Sequence, residues 1–154
     1  RFRDIENLKE GSAVSTDITA ERWKDIGHPD APIVSAYDAG TLLAHIAGEH
    51  DFTLYEYFAT DKAGHERSMT HAVQILDLLD DFIRGLYEHL PADVTVLLSS
   101  DHGNMEELST KSHTRNPVPL IILGQREELP LEKVRAITDI TTAIVQYLGE
   151  FRGA

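Results

Sequence analysis

The most regular hydrophobic pattern of the chain lies in residues 66–90. Apolar residues recur there every three or four positions, with charged residues on the opposite side, which predicts a long amphipathic helix that Pro91 ends. The apolar positions are Met69, Ala72, Val73, Leu76, Leu79, Ile83, Leu86 and Leu90. A similar pattern after Ser35 predicts a second helix, which should end near Gly48.

Three other stretches predict strands. Residues 51–60 alternate in the manner of a strand covered on both faces, and residues 94–98 and 118–123 are short apolar runs typical of buried strands. A closing helix should begin near Thr138 and be capped by Gly149. The alternation of strands and helices predicts a three-layer αβα fold with a mostly parallel sheet and right-handed crossovers. We expect a single domain over residues 1–154, with residues 1–34 as a poorly defined lead-in.

Composition restricts the partners and the compartment. The chain has 154 residues, with 14 Lys and Arg against 26 Asp and Glu, so its formal charge is −12. A charge of this sign repels phosphate polymers and anionic lipid surfaces, so we expect neither nucleic acid nor membrane as a partner. The chain has no Cys, which excludes disulfides and favours a cytoplasmic location.

Polar clusters follow or precede the predicted strands. Asp61 and His65 follow the first strand, Asp101 and His102 follow the second, and His113 precedes the third. In a parallel sheet these clusters would meet at one edge, which is where open α/β folds bind ligands. Imidazole and carboxylate without thiolate suit Zn²⁺, Mn²⁺ or Fe²⁺. The pattern therefore predicts a metal site.

Spacing suggests how these residues would share the metal. Asp61 and His65 are four residues apart, so one helical turn or a compact loop can place both on one ion. Asp101 and His102 are adjacent, so in extended chain they would reach two ions, or one ion and a group beside it. His113 can supply the missing third ligand. Two ions about 4 Å apart would activate a nucleophile and neutralise charge on a phosphoryl or sulfuryl group.

Three sequence words carry a resemblance to a known family. They are Thr60-Asp61-Lys62-Ala63-Gly64-His65, Ser100-Asp101-His102-Gly103-Asn104 and His113-Thr114-Arg115-Asn116-Pro117-Val118-Pro119, with the long helix between the first two. In this order they resemble the alkaline phosphatase superfamily, most closely the cofactor-independent phosphoglycerate mutases and phosphopentomutases. The resemblance covers roughly residues 35–150.

The resemblance implies an alkaline-phosphatase-like fold, incomplete here, and two divalent metal ions. These would be Mn²⁺ or Zn²⁺, with Mg²⁺ as a further candidate. By the family's pattern, Asp61, His65 and His113 would ligate one ion, whereas Asp101 and His102 would contribute to the other.

The resemblance also implies the reaction. The family transfers or hydrolyses a phosphoryl group of a small phosphorylated substrate through a covalent phospho-Ser or phospho-Thr, as a mutase or a phosphatase. That nucleophile, and an Asp that completes the second metal site, are not recognisable in this sequence. We therefore expect the C-terminal portion of a longer enzyme, inactive alone, with the missing N-terminal part as a partner.

The alternative is a non-catalytic metal-binding or interaction domain. Either could self-associate through apolar surface that truncation exposes.

The remaining polar residues carry weaker expectations. Asn104 and Arg115 adjoin predicted ligands and are candidates for contact with substrate, because Arg binds phosphate through two parallel hydrogen bonds. The alternative for Arg115 is a salt bridge on the acidic surface. Ser100, Asp101 and His102 cannot form a hydrolase triad, because consecutive residues cannot relay a proton in line. Five other histidines are expected to be solvated or structural: His28, His45, His50, His71 and His89.

Overall fold

The computed structural model describes residues 3–124 and 133–151. These residues form helices and one pair of strands, in the mixed order of an α/β chain. The elements are α1 (Ile5–Lys9), α2 (Arg22–Asp25), α3 (Ala36–Gly48), α4 (Ala59–Glu66), α5 (Met69–Glu88), β1 (Thr95–Ser99), β2 (Leu120–Gly124) and α6 (Ile137–Phe151).

Helices α3 and α5 form the centre of the fold, as their hydrophobic patterns predict. The Ser35 side chain accepts a hydrogen bond from the Asp38 amide at 3.1 Å, and Ser68 caps α5 in the same way, so each helix begins at a serine. Between the two helices lies a cluster of buried residues: Ile18, Ala36, Ala39, Leu43, Ala44, Phe82 and Leu86. Burial of this cluster is the main apolar contribution that holds the described chain together.

Two glycines let α3 and α5 approach closely. A Cβ atom at Gly40 would overlap the carbonyl oxygen of Phe82, and one at Gly85 would overlap that of Tyr37. The backbones of the two helices therefore touch at these positions, where any side chain would force them apart.

The two strands are antiparallel, so the predicted parallel sheet is wrong for the strands that the structure describes. Leu97 pairs with Ile122 at the centre of the register, and the chain between the strands folds back on itself through an antiparallel bridge between Gly103 and Thr114. A parallel neighbour would require the connection to carry the chain to the opposite end of the sheet, usually through a helix. The intervening polar segment contains no helix and returns at the same end.

The strand predicted over residues 51–60 is also wrong. Residues 52–58 form no strand, and α4 begins at Ala59. Tyr55 and Tyr57 pack against the central cluster, whereas Phe52, Leu54 and Phe58 are exposed. The alternation in this segment therefore reflects one covered face. That face is covered because the segment lies on the core, and not because it pairs in a sheet.

The two ends of the described chain are both helical. In the lead-in, α1 and α2 flank a second small cluster, Leu8, Ala13, Ala20 and Ala31. The closing helix begins beside Asp139, whose carboxylate accepts hydrogen bonds from the Arg135 and Ala136 amides, both at 2.9 Å. The predicted cap at Gly149 is wrong, because α6 continues through it. Among the described residues, no helix combines the length and apolar character needed to cross a bilayer.

Candidate metal centre

Helix α4 supplies the first two predicted ligands. Asp61 lies in its first turn and His65 in its last, so both side chains project from the same face. The Nε2 atom of His65 is 3.4 Å from Oδ2 of Asp61. The helix α4 therefore brings Asp61 and His65 together, as predicted for a helical turn or a compact loop.

The connection between β1 and β2 supplies the other three. The Thr114 amide donates to the Gly103 carbonyl at 2.8 Å, and this bridge brings His113 beside His102. Their rings stack, with centroids 3.6 Å apart and planes 17° from parallel. A Cβ atom at Gly103 would overlap the Thr114 hydroxyl, so a side chain at this position would displace that of Thr114.

The two groups of residues meet at Asp61. The Nε2 atom of His113 is 3.3 Å from Oδ1 of Asp61 and 3.2 Å from Nε2 of His65. The Nε2 atom of His102 is 3.9 Å from the same Asp61 oxygen. Asp61, His102 and His113 each offer a ligand atom, and all three atoms lie within 4.8 Å of one another.

These distances fit a divalent cation. Ligand atoms at about 2.05 Å from a tetrahedral ion are about 3.3 Å from each other. Nε2 of His113 lies 3.3 Å from Oδ1 of Asp61 and 3.2 Å from Nε2 of His65, whereas Nε2 of His65 lies 3.4 Å from the other carboxylate oxygen, Oδ2. The Nδ1 atom of His65 is 2.7 Å from the carbonyl oxygen of Lys111. Because a carbonyl only accepts, Nδ1 carries the proton and Nε2 presents its lone pair to the cluster.

Asp101 and His102, which were predicted to contribute to a second ion, lie close to the residues predicted for the first. Oδ2 of Asp101 lies 3.3 Å from Nε2 of His102, and the Asp101 side chain is 79% exposed. The Nδ1 atom of His102 is buried, and within the described chain it has no hydrogen-bond partner. All five predicted ligands thus lie in one cluster, and the geometry does not divide them between two ions. Their assignment as ligands stays a prediction.

The two candidate substrate-binding residues lie in different environments. Asn104 is 4% exposed, and its Nδ2 donates to the backbone oxygen of Asp61 at 3.0 Å and to Oδ1 of Asp61 at 2.6 Å. Arg115 is exposed, and among the described residues no hydrogen bond or ion pair engages its guanidinium. The structure thus brings Asn104 to a predicted ligand and leaves Arg115 at the surface near His113.

Glu106 has a structural role that the sequence pattern does not indicate. Its Oε1 accepts from the Thr114 hydroxyl and from Nδ2 of Asn116 at 3.0 Å, and its Oε2 accepts from the Asn104 amide at 2.6 Å. These bonds, chiefly the one from Thr114, lower the pKa of Glu106 to about 2. In sequence Glu106 is one acid in a polar loop, and only the folded loop brings these donors to it.

The other histidines lie away from the cluster, as expected. His28 packs edge-on against Trp23, and His45 against His89. His50 contacts Arg3, and His71 pairs with Glu66. Each has a local structural partner.

Several proteins of similar sequence are named as phosphoglycerate mutases. The chain is 30% identical over 115 residues to a 2,3-bisphosphoglycerate-independent phosphoglycerate mutase of Desulforudis audaxviator, an alignment that covers 70% of this chain and 22% of the relative. Mutases of the same name from Paracoccus denitrificans and Mycoplasmopsis pulmonis are 26% and 28% identical, and the alignments cover 85% and 87% of this chain.

The chain spans less than a third of these relatives, 29% of the Paracoccus protein and 27% of the Mycoplasmopsis protein. No solved structure matches it significantly. The family model of the metalloenzyme superfamily matches residues 34–150. This match includes α3, α4, α5, both strands and every residue of the cluster around Asp61. The chain therefore belongs to the metalloenzyme superfamily.

Proposed function

We propose that this chain is the metal-binding part of a phosphoryl-transfer enzyme, in which Asp61, His65 and His113 hold one divalent cation. The observation that carries the proposal is the approach of one carboxylate and two imidazole nitrogens to within 3.2 to 3.4 Å, with Oδ2 of Asp61 facing His65, Oδ1 facing His113, and the two Nε2 atoms facing each other. Asp101 and His102 adjoin this triangle and are the candidates for a second ion. A bound cation would supply a Lewis acid that withdraws charge from phosphoryl oxygens.

The proposed reaction is phosphoryl transfer or hydrolysis, with a small phosphorylated acid as substrate. Support comes from membership of the superfamily and from relatives named as phosphoglycerate mutases. Two hydroxyls beside the cluster are already engaged, since Ser100 donates to the His102 carbonyl at 2.8 Å and Thr114 to Glu106. We therefore propose that the nucleophile belongs to another part of the parent enzyme, and that this chain alone binds metal without turnover.

A calorimetric titration of the chelator-treated chain with Mn²⁺ and with Zn²⁺ tests the metal site. We expect saturable binding, weakened by more than about 100-fold in His113→Ala, because a direct ligand contributes more than a residue that only supports one. His113 is exposed, so its replacement leaves the fold in place.

The matched control is His45→Ala. His45 is an exposed histidine on α3 outside the cluster, so its removal should leave the dissociation constant unchanged. This control is needed because a chain of charge −12 also attracts cations without a specific site. Equal binding by His113→Ala and the unmutated chain would contradict the proposal.

Arg115 is the residue that we propose to contact the phosphoryl group. It lies two residues after His113, it is exposed, and the described residues leave its guanidinium free for two parallel hydrogen bonds to an anion. In an acidic chain, a cation beside the metal cluster would offset repulsion of a negatively charged substrate.

Orthophosphate binding to the Mn²⁺-loaded chain tests this role. We expect Arg115→Gln to weaken binding by about 10-fold or more, since hydrogen bonds to charged groups contribute about 1.5–3 kcal/mol each. The control is Arg84→Gln, because Arg84 lies on α5 over the Tyr37 ring, away from the cluster. An identical loss in both variants would show that only the overall charge of the chain matters.

A further inference from the structure

We propose that Asn104 is a positioning residue, whose amide fixes the Asp61 carboxylate in the orientation that faces His65 and His113. The inference rests on the proposed metal site and assigns the residue that holds its central ligand. Asn104 lies between β1 and β2 and would support the cation through Asp61, without touching the cation or the substrate.

The direction of the hydrogen bonds identifies the amide group that faces Asp61. The two Asp61 atoms within reach are a carbonyl oxygen at 3.0 Å and a carboxylate oxygen at 2.6 Å, and both are acceptors. Only the NH₂ group of Asn104 can satisfy both. One side chain thus ties the carboxylate to the backbone of its own residue in the first turn of α4.

The effect on the carboxylate is geometric. With Oδ1 held by Asn104, Oδ2 remains 3.4 Å from Nε2 of His65, and Oδ1 itself lies 3.3 Å from Nε2 of His113. The Asp61 side chain is 40% exposed and would otherwise rotate between several rotamers. Fixing it removes the entropy that a cation would have to overcome to order it.

Asn104 is itself held on three sides. Its backbone amide donates to Glu106 at 2.6 Å, its side chain is buried, and the absence of a side chain at Gly64 leaves the space that its amide oxygen occupies. A Cβ atom at Gly64 would overlap Oδ1 of Asn104. The glycine of α4 and the asparagine of the loop are therefore complementary in shape.

The unpaired oxygen of Asn104 points to a role beyond stability. Its Oδ1 is buried and has no hydrogen-bond partner among the described residues. A buried unpaired acceptor is unfavourable, and an apolar residue of similar size would avoid it. Asparagine at this position is thus a poor choice for packing alone and a good one for orienting a carboxylate.

The first test measures cation binding to Asn104→Leu, which keeps the branching and the number of side-chain heavy atoms and removes the donors. We expect the Mn²⁺ dissociation constant to rise by about 10- to 100-fold, the usual effect of losing a group that orients a ligand. The visible spectrum of the Co²⁺-saturated variant should also change, because that spectrum reports ligand geometry. Gln74→Leu is the control, since Gln74 is an exposed amide on α5, outside the cluster and outside the Glu106 hydrogen bonds.

The second test couples Asn104 to Gly64 and is independent of the Leu variant. Gly64→Ala should weaken Mn²⁺ binding in the unmutated chain by displacing the Asn104 side chain. In an Asn104→Ala background, which leaves room for the new methyl group, it should cause no further weakening. Circular dichroism of the metal-free variants checks that each retains its helices.

The outcomes separate this proposal from the metal site on which it rests. Binding by the unmutated chain, together with unchanged affinity and Co²⁺ spectrum in Asn104→Leu, overturns the positioning role alone. Independent, additive effects of the Gly64 and Asn104 substitutions overturn it as well. Failure of the unmutated chain to bind Mn²⁺, Zn²⁺ or Co²⁺ overturns both proposals.

Discussion

At the scale of single residues, Glu106 organises the loop that carries three of the five residues of the cluster. Its two carboxylate oxygens accept from Thr114, Asn116 and Asn104, which lie on both sides of the Gly103–Thr114 bridge. His113 is adjacent to Thr114, and Asn104 contacts Asp61. Glu106 is thus hydrogen-bonded both to Asn104, which contacts Asp61, and to Thr114, which adjoins His113.

The depressed pKa of Glu106 predicts how this loop responds to acid. Its pKa is about 2 in the folded chain against an ordinary 4.5, so the ionised form stabilises the fold. This contribution is complete above about pH 4.5 and is lost as the pH falls towards about 2. We expect Glu106→Gln to be less stable than the unmutated chain near neutral pH, with the difference shrinking over that interval. Urea unfolding at a series of pH values measures it.

Glu56→Gln serves as the comparison, because Glu56 is an exposed acid outside the loop. A pH profile of Glu106→Gln parallel to that of the unmutated chain would mean that the loop hydrogen bonds do not depend on this charge.

At the scale of elements, the contact between α3 and α5 depends on Gly40 and Gly85. We expect Gly85→Ala to lower the free energy of unfolding by about 1–3 kcal/mol, the usual cost of forcing a methyl group into a packed contact. The methyl would meet the Tyr37 carbonyl, part of the α3 backbone, which cannot move aside alone. Urea unfolding of the metal-free chain measures the change.

Gly149→Ala is the matched control, since Gly149 lies within α6 and a Cβ atom there meets no atom within 4 Å. Alanine is the better helix former by about 1 kcal/mol, so this variant should be as stable as the unmutated chain or more stable. Equal effects of the two substitutions would indicate that helix propensity, and not the close approach, governs Gly85.

Prediction from the sequence identified α3, α5 and the two short apolar strand segments, but failed for the alternating residues 51–60. The pattern over residues 66–90 corresponds to α5, and Ser35 caps α3 as expected, because a buried face repeated over several turns has one helical solution. Residues 51–60 are too short to distinguish a strand from extended chain lying on helices. The strand that was predicted to deliver Asp61 is absent, yet α4 delivers it with His65 on the same face.

At the scale of the whole molecule, acidic charge and exposed apolar surface occur together. Phe52, Leu54 and Phe58 are 53%, 72% and 61% exposed on one side of residues 52–58, and Met69 is 68% exposed at the start of α5. Exposed apolar residues of this number favour association, whereas a charge of −12 opposes it. Self-association stays a prediction, which light scattering at rising protein concentration measures.

The amino-acid sequence by itself determined the two central helices, the strand segments after Pro91 and before Gly124, and the set of residues that form the cluster. It could do so because hydrophobic period and residue type are local properties of the chain. The convergence of Asp61, His65 and His113 could be anticipated from three ordered sequence words, although the sheet edge expected to bring them together is not what does so.

Only the tertiary structure decided the antiparallel pairing of β1 and β2, the place of Asn104 behind Asp61, and the network around Glu106. Each depends on contacts between residues far apart in sequence or across a folded loop, such as Asn104 with Asp61. Polar loop residues carry no periodicity, and their partners are set by how the backbone turns. The hydrogen bond from Asn104 to the Asp61 carboxylate therefore could not be predicted from the sequence pattern, and only the folded chain shows it.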